Sequence, residues 1–286
     1  MTAKESDWFS KTSSVQTMKA WARRPESPSD LPAMFQKAFL DEAFPSDPVF
    51  FPGETSGSER FVAIPARLAG FYEDHLAVWE ESGASLQKTL VPFSKIRWVQ
   101  RGVMLLSSWL DVVSEVSSVR LSFASVNEEL MDPFLARLRE AAAPSGHQEK
   151  SVWESGRQAL DRIGDLHFKF MSYGRRLLRP GDRVLGVAYQ QDRKLGWRKI
   201  ATPFLLVLTD KELLLIRDPE RLRRGRHSSY GAVFTFIPRT HITALTWGER
   251  PRRHAGSLEI FVAGGPPLIL DADLNNGEMA SLTGSF

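Results

Sequence analysis

Nine cations crowd two short segments in the second half of the chain. Arg193, Lys194, Arg198 and Lys199 lie in DRKLGWRK, and Arg217, Arg221, Arg223, Arg224 and Arg226 lie in RDPERLRRGRH. Ammonium and guanidinium groups at this density attract phosphates and anionic surfaces, and each cation close to a charged membrane adds about 1 kcal/mol. Trp197 stands among the cations of the first segment, and an indole suits the boundary between lipid and water. A plainer role is also open, because an Arg-rich loop keeps a surface solvated without any specific ligand.

Other groupings are weaker. Arg250, Arg252, Arg253 and His254 follow Trp247, a mixture of cations and an aromatic that nucleic acid can use, but no nucleic-acid motif accompanies it. The segment DADLNNGE places Asp271, Asp273 and Asn275 at alternate positions like a calcium loop, yet Gly277 falls one place late and Leu282 stands where a bidentate Glu is needed. The six histidines are scattered without HxxxH spacing, there is no cysteine, and no GxSxG, P-loop or GxGxxG motif occurs. The expectation is no catalytic site, no metal and no cofactor.

Composition is that of an ordinary folded chain, 42% hydrophobic and 25% charged over 286 residues. The net charge of +3 is unevenly held: residues 1–169 carry 19 Lys and Arg against 23 Asp and Glu, and residues 170–286 carry 18 against 11. Basic character therefore belongs to the C-terminal half. No run of about 20 apolar residues is present, and the start MTAKESDWFSKTSS lacks a signal-peptide core, so a cytoplasmic location is expected, with peripheral attachment to a membrane left open.

These residues must be carried by short elements. Residues 1–28 are polar and predict a mobile arm. Residues 29–49 predict a helix, with Ser29 and Asp30 as cap and Leu31, Met34, Phe35, Ala38 and Phe39 on one face. From 50 to 143, runs such as ARLAGF, HLAVWE, QKTLV, KIRWV and SVRLSF, broken by turn residues, predict an antiparallel meander, followed by a helix capped by Asn127. VMLLSSWLDVV (103–113) fits strand or helix, and as a strand it would be buried rather than offered to a membrane or partner. Residues 144–178 predict a linker and one amphipathic connecting helix, its stripe running through Val152, Ala159, Ile163, Leu166 and Phe170. From 179 to 286 come seven further strand runs and a short final helix beginning near Asn275 or Asn276.

The halves repeat. VPFSKIRWVQRG (91–102) aligns without gaps on IPRTHITALTWG (237–248), matching Pro92 to Pro238, Ile96 to Ile242 and Gly102 to Gly248, with similar strand and helix order on both sides. The run FLLVLTDKELLLIR (204–217), followed by IPRTHITAL, resembles the bacterial pleckstrin-homology-like domains, in which two apolar strands flank a TD turn with a basic residue. The likeness covers 180–284 closely and 50–143 more loosely. It implies two tandem seven-stranded antiparallel barrels, each closed by a C-terminal helix, and it implies that the first basic segment lies where eukaryotic relatives hold phosphoinositides. It does not imply an activity. The expectation is a mainly β, non-enzymatic binding or scaffold module, acting through a protein partner, self-association or anionic lipid, with nucleic acid disfavoured and an enzyme with an unrecognised site as the alternative.

Overall fold

The computed structural model describes residues 21–53, 64–104, 107–144, 158, 160–161, 167–195, 198–219, 231–248 and 256–272. The fold is mainly β with antiparallel pairing throughout. A short 3₁₀ turn and a one-turn helix, α1 (Ala33–Gln36), precede the first sheet, whose order is β1 (Ser46–Phe51), β2 (Arg67–Phe71), β3 (His75–Ser82) and β4 (Ser85–Pro92). The chain then turns through a 3₁₀ corner into β5 (Ile96–Met104), β6 (Ser107–Ser114), β7 (Ser118–Ala124) and the helix α2 (Glu128–Ala142). The helix α3 (Phe168–Leu177) leads into β8 (Val184–Gln190), the small strands β9 (Arg193–Leu195) and β10 (Arg198–Ala201), then β11 (Phe204–Thr209), β12 (Glu212–Arg217) and β13 (Gly231–Pro238). A second 3₁₀ corner precedes β14 (Ile242–Gly248), β15 (Gly256–Val262) and β16 (Leu268–Ala272).

No closed barrel is found among the described residues. Instead β5 pairs with β13, so a seven-stranded sheet of order β7-β6-β5-β13-β12-β11-β8 runs across both halves. Six residue pairs make this junction, from Phe236 opposite Val99 to Gly231 opposite Met104. The side chain of Gln100 also donates to Thr235 Oγ1 across it, at 3.0 Å.

This sheet explains the unbroken apolar runs. FLLVLT in β11 is buried at every position. Alternate residues of a strand face opposite sides, and here both sides are covered. Leu206, Leu208, Leu213, Leu215 and Ile237 pack on Leu258, Ile260 and Val262 of the β14-β15-β16 sheet. Leu205, Val207, Leu214, Ile216, Phe234 and Phe236 join Phe170 and Leu177 of α3 and the core of the first half. A sheet covered on both faces has no need of polar alternation. Where the covering differs, so does the pattern: β4 reads SLQKTLVP and exposes several of its residues.

The internal repeat has a structural counterpart. Both corners join a strand ending in proline to the next strand through one 3₁₀ turn, Phe93–Lys95 and Arg239–His241. Phe93 N–H donates to Asp74 O at 3.0 Å and Arg239 N–H to Lys211 O at 2.8 Å. Beyond the corners, Glu115 N–H reaches Lys95 O at 3.0 Å and Ala263 N–H reaches His241 O at 2.8 Å. Both following strands carry a register irregularity at the same place, between Ile96 and Trp98 and between Ile242 and Ala244. A bulge sharpens strand twist, which suits a corner.

Several expectations change. The region 29–49 is not one helix: helical turns end by Phe39, and Ser46–Phe51 is a strand. Pro48 is tolerated in β1 because this strand lies at a sheet edge and its register shifts between Ser46 and Val49. Of the predicted mobile arm, residues 21–28 are tied down, with Arg23 and Phe50 exchanging backbone hydrogen bonds. Ser27, rather than Ser29, begins the first turn, and Asp30 Oδ2 accepts from its N–H at 3.0 Å. Asn127 makes no side-chain cap and instead holds the backbone of Ala22, donating to its carbonyl at 3.0 Å and accepting from its N–H at 3.2 Å. The connecting helix is interrupted at His167, which is extended and caps α3 through its ring nitrogen. Of VMLLSSWLDVV, Val103 and Met104 end β5 and residues 107–113 lie in β6, while Leu105 and Leu106 lie outside the described residues. The run RFVAI, apart from Ile64, and the final helix lie outside the described residues.

Candidate functional site

In a meander, alternate connections leave the same end of the sheet, and the register fixes which ones these are. Gln190 of β8 stands opposite Phe204 of β11, Phe204 opposite Arg217 of β12, and Arg217 opposite Val233 of β13. The chain therefore leaves and re-enters the central sheet at one end for both basic segments, 191–203 and 218–230. This is the outcome that the spacing of the cations alone left open.

The first segment is more ordered than a loop. Arg193, Lys194, Arg198 and Lys199 lie in the paired strands β9 and β10, where Lys199 is opposite Lys194 and Arg198 opposite Leu195. Arg217 belongs to β12 and is half-buried, so it anchors the second segment rather than forming part of a free loop. Trp197, Arg221, Arg223, Arg224 and Arg226 lie outside the described residues, as do Arg250, Arg252, Arg253 and His254 and the acidic run from Asp273 onward.

Sequence reasoning missed the neighbour of this end. Phe168, at the start of α3, is 74% exposed, and the adjacent Lys169 pairs with Asp218 at 2.7 Å, where the Arg-rich segment departs from β12. A ring contact from α3 to β8 points the same way, since Phe170 lies 5.5 Å from Tyr189, tilted, near the end of β8. Phe168 lies off the apolar stripe that the sequence pattern marks, and the extended His167 places it at a helix start.

At the opposite end of the same strands lies a buried charge network that sequence reasoning also missed. Arg139 of α2 reaches across to Glu212 of β12, donates to Leu177 O at 2.8 Å and lies 4.1 Å from the ring of Phe236. Arg179 donates to Ala143 O at 2.8 Å and pairs with Glu140 and with Asp182, both at 3.2 Å. Arg139, Arg179, Asp182 and Glu212 are all buried. Burial raises the Asp182 pKa from its usual 3.8, against the pull of Arg179. The Arg179 pKa also rises, because the carboxylates of Glu212 and Asp182 outweigh the burial that opposes its charge. The cluster connects α2 of the first half to β12 of the second.

Among the described residues no group of three His, Asp or Glu side chains could hold a metal ion. His75 stacks on Tyr72 and bonds Asp74 at 2.6 Å, His167 caps α3, and the His241 carbonyl closes a corner. The turn residues of the TD motif are structural as well. Thr209 Oγ1 accepts from Lys211 and Glu212 N–H at 3.2 and 3.0 Å, and Asp210 Oδ1 accepts from Arg183 N–H at 2.9 Å.

No protein-family model matches the chain, and no curated protein matches it significantly. Among the described residues, no helix is long and apolar enough to cross a membrane.

Proposed function

We propose that the chain is a non-enzymatic binding module, built from two diverged pleckstrin-homology-like units, that attaches peripherally to anionic membrane through the basic end of its central sheet. The observation that carries this is the register of β8, β11, β12 and β13, which brings the roots of both cation-rich segments to one end. Exposed Phe168 beside that end supplies an apolar group able to enter the interface. The order of four strands, a corner and three strands in the first half, matched in the second by β8, β11, β12 and β13, a corner and β14 to β16 once the small β9-β10 pair is set aside, supports the architectural part of the reading.

Co-sedimentation with phosphatidylcholine vesicles, with and without phosphatidylserine, tests it. Binding is expected only with the anionic lipid and should weaken as salt rises, because surface attraction is screened within a Debye length of about 8 Å at physiological ionic strength. Replacing Arg193, Lys194, Arg198 and Lys199 together by Ser should reduce binding by up to about 1 kcal/mol per cation. Phe168→Ser should weaken it without altering its salt dependence. Equal sedimentation with both vesicles, or none with either, overturns the reading.

A further inference from the structure

The junction inside the chain joins unlike edges. With the separate β9-β10 pair set aside, β13 is the fourth strand of the second half, and β5 is the fifth strand of the first. By the repeat, β4 occupies in the first half the place of β13, and β14 occupies in the second half the place of β5. Both β4 and β14 are sheet-edge strands, unpaired on their outer side among the described residues. The chain thus contains one fourth-to-fifth strand junction already made and the two complementary edges of another.

Exposure at β4 fits a surface awaiting such a partner. Phe236 in β13 is 1% exposed, packed with Phe170 and Leu177 of α3 and under the Arg139 guanidinium, whereas its counterpart Leu90 in β4 is 46% exposed. The turn after β15 is what β5 covers: a Cβ on Gly264 would collide with the Arg97 guanidinium of β5. The corresponding turn after β6 carries Val116, 69% exposed, and its Ser117 hydroxyl reaches the Leu90 carbonyl at 3.4 Å. Lysine commonly guards an open strand edge, but Lys88 is drawn onto its own sheet, paired with Glu42 and 5.1 Å from the Trp79 ring.

We infer that the partner of these edges is a second copy of this chain, β14 of one copy pairing antiparallel with β4 of the next as β5 pairs with β13. Transferring the internal register places Leu90 opposite Leu245, Thr89 opposite Thr246 and Lys88 opposite Trp247. Because the joined edges differ, the contact is head-to-tail, and it propagates into a ring or an open filament rather than stopping at a dimer. This goes beyond the membrane reading and is tested without lipid.

Sedimentation velocity over a concentration series of the full chain should show stepwise growth beyond the monomer, and electron microscopy should show rings or filaments. T89E/T246E places two like charges face to face at every contact and should dissociate the assembly, whereas T89K/T246E places opposite charges there and should restore it. The association constants of the two variants should differ about tenfold. Symmetric pairing of β4 with β4 would instead leave T89K/T246E dissociated, since Lys would face Lys, and that result overturns the inference. So does a wild-type monomer at every concentration up to about 1 mM. Thr246→Glu alone, at an exposed position, keeps the test valid if substitution of the half-buried Thr89 impairs folding: it must weaken association while leaving the circular dichroism and melting of the monomer unchanged.

Discussion

Removing the Glu212 carboxylate should cost far more than an ordinary surface change and should loosen one half of the molecule from the other. Glu212 is 2% exposed and receives Arg139 from α2, with Arg179 3.7 Å away. Glu212→Ala leaves the buried Arg139 facing Phe236 and the Leu177 carbonyl without its carboxylate. Deleting one member of a buried pair costs about 3–5 kcal/mol, chiefly because the other charge remains desolvated. In a chain of this size each kcal/mol shifts the melting temperature by about 2–4 °C, so a fall of the order of 10 °C is expected. Urea unfolding of wild type, E212A, R139M and the double variant R139M/E212L completes the measurement. The double variant removes both charges and should recover most of the loss, and E212A should separate a single transition into two if the network couples the halves. The reasoning is refuted if E212A lies within about 1 kcal/mol of wild type, or if the effects of the single substitutions simply add in the double variant.

Two further outcomes follow from local geometry. Gly102 lies opposite Trp109 in the β5-β6 register, and a Cβ there would fall within the indole, so Gly102→Ala should destabilise the protein by about 1–3 kcal/mol in chemical denaturation. W109A in the same background should make the alanine nearly neutral. Asp182 ionises above its usual 3.8 because it is buried. A carboxyl whose folded pKa is raised contributes stability below its unfolded value and loses that contribution as pH rises through the folded one. Wild-type stability relative to Asp182→Asn should therefore decline from about pH 4 upward, and a difference that is flat with pH would contradict the assignment.

What could be read from the sequence divides along physical lines. All seven strand runs of the second half appear as β8 and β11 to β16, because their apolar residues are contiguous and turn residues separate them. The short β9-β10 pair escaped, since RKLGWRK lacks an apolar period. Strand β1 escaped for a different reason: Pro45 and Pro48 mimic a break, and only the edge position with its shifted register accommodates them. The join between halves was invisible because a strand's sequence does not say whose edge it meets; β13 reads alike whether it closes its own barrel or pairs with β5. Clustered cations were legible as composition, but their common end required the register. Arg139 and Glu212, 73 residues apart, carry no local signal at all.

The shared sheet also sets a timetable. Met104 meets Gly231, so during synthesis the edge of β5 emerges well before its neighbour, and at about 5–20 residues per second it stands open for on the order of ten seconds. For that interval the nascent first half displays a strand edge with Gln100 and Val99 uncovered. Anything that slows elongation through the intervening segment lengthens the exposure, and the yield of correctly folded protein should then depend on translation speed as well as on the stability of the finished molecule.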